Sequence, residues 1–196
     1  MQELKKALRS ELIRRRREMD KAYRKNLDKR IYNILKGIDG ILNFDAYLIY
    51  ASSAIEVDTR AFIEYLLSMG KTVAVPKCEG RNMRFLAISS LSGLIRSKFG
   101  VDEPESGEEI TDFNNTLCVT PALSFNEKGY RLGYGGGFYD RFFEKYNGIK
   151  LGICYEEFCG DIPTGEYDIP VDTVVTEKGF FCGKEDSLWK KKNTMI

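Results

Sequence analysis

Arg131-Leu132-Gly133-Tyr134-Gly135-Gly136-Gly137-Phe138-Tyr139-Asp140-Arg141 follows an apolar, strand-like run at 116–123 and leads into a helix-like run at 137–146. Four glycines in five positions remove side chains from one side of a loop. They admit positive φ angles and let successive N–H groups converge on an anion. Strand, glycine loop and helix, in that order, set a phosphate at a helix N-terminus. Arginines flank the glycines on both sides, and Asp140 brings a carboxylate able to hold Mg²⁺. Those are the parts needed to handle a nucleoside triphosphate. The loop is not a Walker loop, because no Gly-Lys-Ser/Thr follows, and the third glycine of the dinucleotide fingerprint is Phe138 here. The glycine loop of protein kinases fails at the same place.

Working outward, 150–155 reads as the strand after the helix, and 173–176 as the last strand. Upstream, 47–50 is a short buried strand ending in the small residues Ala51-Ser52-Ser53-Ala54. Asp58 or Thr59 caps a helix that runs to Met69 and is closed by Gly70. Strands follow at 72–76 and 83–88. Strand, helix, strand at this spacing predicts a parallel βαβ unit, and ligands of such sheets bind beyond the carboxyl ends of the strands. Glu56 therefore faces a cleft, although as a residue near a helix start it also reads as a helix-dipole carboxylate. The segment 89–111 is long and irregular, as lids and binding loops are.

Helical spacing of apolar residues predicts helices over 2–19 and 21–37. The run Arg14-Arg15-Arg16-Arg17 invites a nucleic-acid reading. Glu11, Glu18 and Asp20 interleave with it, and no aromatic stacking platform accompanies it. It is read instead as a solvated helix face, and no nucleic-acid partner is expected. Lys5 and Arg9 stand one turn apart on one face, so both reach a single phosphate group; on their own they read as surface charges.

The 196 residues suit one domain, 1–196, with a sizeable core. Formal charge is +1, split as +7 over residues 1–30 and −6 over the rest. No apolar run is long enough to span a bilayer and no signal peptide opens the chain, so no membrane partner is expected. Five cysteines without a Cys-x-x-Cys pattern read as reduced thiols of a cytoplasmic protein. The chain has no histidine. That excludes histidine general bases, Ser-His and Cys-His nucleophiles, and histidine-bearing zinc sites. Any chemistry must come from carboxylates, cations, backbone and substrate groups. No feature advertises an interface, so a monomer is expected. The architecture expected is an α/β fold, a three-layer α/β/α sandwich with a mostly parallel sheet.

The glycine stretch, with Pro121-Ala122-Leu123-Ser124-Phe125-Asn126-Glu127-Lys128-Gly129-Tyr130 before it, resembles the signature of the 5-formyltetrahydrofolate cyclo-ligase family. Lys5-x-x-Leu8-Arg9, Glu56-Val57-Asp58-Thr59, Val75-Pro76-Lys77 and Phe99-Gly100-Val101-Asp102-Glu103-Pro104 are similar pieces in the same order, so the resemblance runs over 5–176. It implies an enzyme turning ATP and 5-formyltetrahydrofolate, with or without a polyglutamate tail, into 5,10-methenyltetrahydrofolate, ADP and phosphate. It further implies ATP contacts at Lys5, Arg9, Arg131 and the loop residues Leu132, Gly133, Tyr134, Gly135, Gly136, Gly137, Phe138 and Tyr139. Folate contacts are implied at Ala51, Glu56 and 134–138, and catalytic roles at Arg131, Asp140 and Arg141, the last neutralising the transferring phosphate. Asp140 would hold Mg²⁺, joined by Asp168 or Asp172, with Asp168 preferred from its place in the family pattern. The resemblance departs at Gly136, where some relatives carry lysine. Here the loop has no internal cation, so Arg131, Arg141 and the N-terminal pair must supply the charge.

Overall fold

The computed structural model describes residues 1–97 and 100–182. Phe99 of the family-like segment and the polar tail from Lys184 lie outside the described residues. Two helices open the chain, α1 (Gln2–Glu18) and α2 (Lys21–Gly37). The Asp20 carboxylate caps α2 by accepting from the Tyr23 amide. Leu27, Ile31 and Leu35 form its buried stripe at spacings of four.

The parallel unit expected upstream is present. β1 (Ala46–Ile49) is buried throughout, as a central parallel strand must be. It passes through α3 (Arg60–Ser68) to β2 (Thr72–Glu79), which pairs with it in parallel. Thr59 is the N-cap residue of α3 but its side chain makes no capping bond; Asp58 supplies one, its Oδ1 accepting from the Arg60 amide at 3.0 Å. The Thr59 hydroxyl donates instead to the Tyr50 carbonyl at 2.6 Å. Gly70, at φ +70°, closes the helix. β3 (Asn82–Ile88) returns antiparallel as an edge. Segment 89–111 is less irregular than expected, since β4 (Leu94–Arg96) and β5 (Asp102–Pro104) form a small hairpin there.

β6 (Thr116–Pro121) pairs in parallel with β1. It stops short of residue 123 because the Leu123 amide turns to the Leu132 carbonyl. That bond begins a second hairpin, β7 (Ser124–Phe125) and β8 (Arg131–Leu132), which carries the chain to the glycine loop. α4 (Phe138–Phe143) is shorter than its apolar pattern predicts. After Phe143 the Lys145 and Tyr146 amides switch to carbonyls three residues back, the tightened turn usual at helix ends. β9 (Ile149–Ile153) and β10 (Thr173–Thr176) extend the parallel sheet, and β11 (Gly179–Cys182) adds an antiparallel edge beyond the last strand expected.

The sheet order is β11-β10-β9-β6-β1-β2-β3. Alternation along the strands sends neighbouring side chains to opposite faces. Tyr47 meets the segment after α2, donating to the Ile41 carbonyl. On the other face, Phe85 of β3 packs on Phe142 of α4 with ring centroids 4.9 Å apart. Helices thus cover both faces, giving the α/β/α sandwich. Among the described residues, no helix is long and apolar enough to cross a membrane, and Cys78, Cys118, Cys154 and Cys159 are free thiols. One position in β9 shows how closely the core is packed. A Cβ on Gly152 would sit 2.5 Å from Cζ of the buried Phe125 ring. Gly152→Ala is expected to cost about 1–3 kcal/mol by overpacking, read as a lowered thermal midpoint.

The four-arginine run is only in part the solvated face expected, since Arg14 and Arg17 are exposed and Arg16 is not. Arg14 does lie outside, paired to Glu11 and Glu18. Arg16 is 1% exposed. It points into the interior, where the carbonyls at the end of β6 need a donor.

Candidate active site

The glycine loop sits beyond the carboxyl ends of β6 and β1, with the N-terminus of α1 laid against it. Gly135 adopts φ +102° and Gly137 φ +64°, which only glycine takes without strain. The Arg9 guanidinium packs against Gly135, 3.6 Å from where a Cβ would stand. Its Nε donates to the Gly133 carbonyl at 2.9 Å, leaving the two terminal nitrogens for an anion in the loop.

A chain of ion pairs runs round this loop. Lys5 Nζ meets Asp168 Oδ2 at 2.5 Å, and the Gly165 amide donates to the same oxygen at 2.7 Å. Next to Asp168, the Ile169 amide donates to Asp140 Oδ1 at 3.3 Å, and the Ile169 carbonyl accepts from Arg131 Nη1 at 2.6 Å. Arg131 Nη2 closes the chain on Asp140 Oδ1 at 2.5 Å. The Arg131 side chain is only 5% exposed and stacks over Phe143, with Cζ 4.8 Å from the ring centroid. Burial pulls its pKa down, and the Asp140 carboxylate opposes that.

The two carboxylates share one habit. Each spends a single oxygen on a cation and an amide, Oδ1 in Asp140 and Oδ2 in Asp168, and keeps the other. Mg²⁺ asks for hard oxygens from one or two carboxylates and fills its shell with phosphate and water, so this pair fits it. Among the described residues there is no cluster of three or more metal-ligating side chains, as such a phosphate-completed shell allows. Asp172 is engaged elsewhere: it accepts from the Lys150 amide at 2.9 Å and faces Lys150 Nζ at 3.7 Å, tying β10 to β9.

Arg141 is drawn into the scaffold. Its Nε and Nη2 donate to the Arg81 carbonyl at 3.0 and 2.8 Å, and Nη2 also reaches the Gly136 carbonyl at 2.9 Å. It thereby pins the glycine loop to the β2–β3 turn. Leu132 is buried in β8, where its carbonyl serves the hairpin. Phe138 lies under the Arg141 guanidinium, 5.3 Å from centroid to Cζ.

Across the cleft, Ala51 and Glu56 are buried at the end of β1. Glu56 Oε2 accepts from the Ser53 amide at 2.7 Å, which folds the 51–56 turn around the carboxylate. Tyr134 is 43% exposed as a residue, but its hydroxyl end turns inward. Burial there, followed by the Glu56 carboxylate, pushes its pKa up. Tyr139 points away from the loop into the interior, where burial raises its pKa further, with Cys118, Glu56 and Cys78 adding. Of the residues expected at the nucleotide, Arg9 and Arg131 are tied to the glycine loop and its aspartate and Lys5 to Asp168, whereas Leu132 is buried in the hairpin; of those expected at the folate, Glu56 is coupled to the loop through Tyr134. Sequence reasoning did not foresee the burial of Arg16 or Glu103. An arginine embedded in a basic run and a Glu-Pro step after a glycine carry no periodic signal.

The chain was compared with known proteins. A model of the "5-formyltetrahydrofolate cyclo-ligase family" matches residues 1–177. A probable 5-formyltetrahydrofolate cyclo-ligase of Schizosaccharomyces pombe is 33% identical over 140 residues, covering 62% of this chain and 69% of that protein. The 5-formyltetrahydrofolate cyclo-ligase of Escherichia coli K12 is 32% identical over 130 residues, covering 62% and 71%. The solved structure of Aquifex aeolicus 5,10-methenyltetrahydrofolate synthetase superposes with a TM-score of 0.83 at 29% identity, over 93% of this chain and 94% of that one.

Proposed function

The chain belongs to the 5-formyltetrahydrofolate cyclo-ligase family and is an enzyme, and from that premise we propose that it converts 5-formyltetrahydrofolate to 5,10-methenyltetrahydrofolate with ATP and Mg²⁺, releasing ADP and phosphate. The observation that carries the ATP-dependent reading is the chain of ion pairs and hydrogen bonds Lys5–Asp168–Ile169–Asp140–Arg131 around a glycine-rich loop, with one carboxylate oxygen left over at each aspartate. The reading takes the whole of 1–196 as one domain. It makes the protein a cytoplasmic monomer acting on a small-molecule folate, polyglutamylated or not.

A formamide carbon is a poor electrophile and its oxygen a poor leaving group. Phosphorylation of that oxygen by ATP answers both, and nitrogen 10 of the same substrate closes the ring as phosphate departs. The nucleophile belongs to the substrate, which suits a chain without histidine. What remains for the protein is positioning and charge stabilisation. Lys5 and Arg9 donate to the triphosphate, Lys5 with the donors not spent on Asp168. The amides of 133–137 converge on it from the other side. Asp140 and Asp168 hold Mg²⁺, which offsets charge on the phosphate oxygens. Arg131 keeps Asp140 in place and Arg141 keeps the loop in place, so both position groups that touch the nucleotide. Glu56 and the 51–53 turn hold the folate, with Tyr134 and Phe138 lending ring faces.

The test is a mixture of the purified protein, 5-formyltetrahydrofolate and MgATP, followed by the near-ultraviolet absorbance of the methenyl product. Product is expected only with all three components and none when EDTA removes the metal. Turnover without ATP or without metal would overturn this reading.

A further inference from the structure

The turn at 51–58, which carries Glu56, belongs to no helix or strand. Inside it the Glu56 amide reaches the Ser53 carbonyl at 3.3 Å, and side chains from other elements hold its carbonyls. Arg24 Nη1 donates to the Ala54 carbonyl at 2.5 Å, Arg16 Nη1 to the Ile55 carbonyl at 3.1 Å, and the Tyr50 hydroxyl to the Val57 carbonyl at 3.0 Å. The Tyr155 hydroxyl stands 3.3 Å from the carbonyl of Glu56 itself. Side chains of α1, of α2 and from just past β1 and β9 thus line four consecutive carbonyls. Carbonyls away from water need donors wherever they fall, so these contacts alone read as ordinary satisfaction of the backbone. Asp28 goes further.

Asp28, in α2, gives no donor to a carbonyl. Its Oδ1 accepts from the Tyr155 hydroxyl at 2.7 Å and from the Asp58 amide at 3.1 Å. A phenol has one proton, and the nearer, charged oxygen takes it, so Asp28 sets where the Tyr155 hydroxyl points. Burial and then the Asp28 carboxylate push the Tyr155 pKa up, which keeps that proton in place. Arg24 and Asp28 stand one helical turn apart, half-buried on the same side of α2. Arg24 holds the turn two residues before Glu56, and Asp28 holds it two residues after. Between those grips, the Glu56 carboxylate closes back on the Ser53 amide at 2.7 Å.

We propose that Asp28 is a positioning residue for the folate, holding the turn at 51–58 so that the Glu56 carboxylate meets its ligand without rearranging. The inference rests on the folate reading above and deepens it, tying the readiness of the folate half of the site to a residue of α2 that no motif marks. Asp28 acts through Tyr155 and the Asp58 amide, not by touching the substrate. An irregular turn left free pays its ordering entropy when the ligand binds, and one ordered beforehand does not. A misplacement of about 1 Å in a binding group costs about 100-fold. A carboxylate suits the task, since one oxygen takes both an O–H and an N–H, and a charged acceptor makes each bond about twice as strong as a neutral one.

Calorimetric titrations with 5-formyltetrahydrofolate alone and with MgATP alone test this on the wild type, Asp28→Ala, Asp28→Asn and Tyr155→Phe. Asp28→Ala is expected to bind 5-formyltetrahydrofolate about 10–100-fold more weakly, the range for losing a partner that orients a ligating group, with MgATP affinity unchanged. Asp28→Asn keeps an acceptor oxygen and should recover part of the folate affinity. Tyr155→Phe should weaken folate binding alone, and less than Asp28→Ala does, because the Asp58 amide keeps its acceptor. A merely structural aspartate predicts a lower melting temperature in Asp28→Ala with the ratio of folate to MgATP affinity unmoved, and that result would overturn the proposal. So would an Asp28→Asn protein that binds folate no better than Asp28→Ala. Should Asp28→Ala fail to fold, Tyr155→Phe decides, and folate binding equal to wild type overturns the proposal. A wild type that does not bind 5-formyltetrahydrofolate overturns the folate reading and this inference with it, whereas wild-type binding beside an indifferent Asp28→Ala overturns the inference alone.

Discussion

Arg131→Ala is expected to lower turnover at least 100-fold and to destabilise the fold by about 2–4 kcal/mol. Removing one member of a fully buried pair typically costs about 3–5 kcal/mol. The lower figure applies because the Asp140 side chain is 29% exposed, so water repays part of the loss. At about 2–4 °C per kcal/mol for a chain of this size, the melting temperature should fall by about 4–16 °C. The kinetic signature follows from geometry. Nη1 and Nη2 of Arg131 are already given to Ile169 and Asp140. The substitution should therefore act through the metal carboxylate and raise the Mg²⁺ concentration for half-maximal turnover. A direct phosphate grip predicts otherwise: a raised KM for ATP with the Mg²⁺ midpoint unmoved. An Mg²⁺ titration of turnover beside thermal melts separates the two. An Arg131→Ala/Asp140→Asn double variant should be less destabilised than the two single losses together, since neither charge is then left alone.

What could be read in advance follows from how local each signal is. The helical spacing in 2–37 and the glycines of 133–137 act within a few residues, and both appear where their patterns put them. Lys5 and Arg9 were legible as a pair because one helical turn joins them, and they do meet the loop, through Asp168 and Gly133. Arg141 and Arg131 were legible as loop cations, but their destinations, the Arg81 and Ile169 carbonyls, come from the β2–β3 turn and the 165–170 loop. No local rule says where those carbonyls fall. β6 was read too long because the apolar run continues past Pro121, while its pairing ends when Leu123 turns to Leu132. β11 was missed although Phe180 and Phe181 follow a glycine, since three apolar residues are too few to display a period. Glu103 lay in a recognised motif with its burial unread, because burial of a single carboxylate is decided by the neighbours that β5 meets.

Arg16 is the strongest case of that kind, and Arg16→Ala is expected to be the most destabilising change in α1. Its guanidinium replaces backbone partners that the end of β6 lacks. Nη2 donates to the Ala122 carbonyl at 2.8 Å and the Leu123 carbonyl at 3.0 Å, and Nη1 to the Ile55 carbonyl at 3.1 Å. The plane lies near the Phe158 and Tyr155 rings, 5.0 and 5.6 Å from their centroids. It also reaches Cys154 Sγ at 3.2 Å. Burial raises the Cys154 pKa, but the bond from Cys159 and the charge of Arg16 outweigh it, and the thiol is held below its ordinary value. No carboxylate pairs with Arg16 among the described residues, so carbonyls, sulfur and aromatic faces carry its charge. Truncation strips the Ala122 and Ile55 carbonyls of this donor, leaves Leu123 only the weak Cys154 thiol, and opens a cavity, an expected loss of about 3–5 kcal/mol. Arg16→Lys should recover part of this, since an ammonium supplies donors but neither the fork nor the stacked plane. Denaturant melts of the three proteins should therefore rank wild type above Arg16→Lys above Arg16→Ala. A loss under about 1 kcal/mol for Arg16→Ala would mean that water substitutes for the guanidinium. The Ile55 carbonyl immediately precedes Glu56, so whatever Arg16→Ala protein remains folded should also bind 5-formyltetrahydrofolate more weakly, with its ATP affinity less affected. That asymmetry would tie a buried arginine of the first helix to the folate half of the cleft.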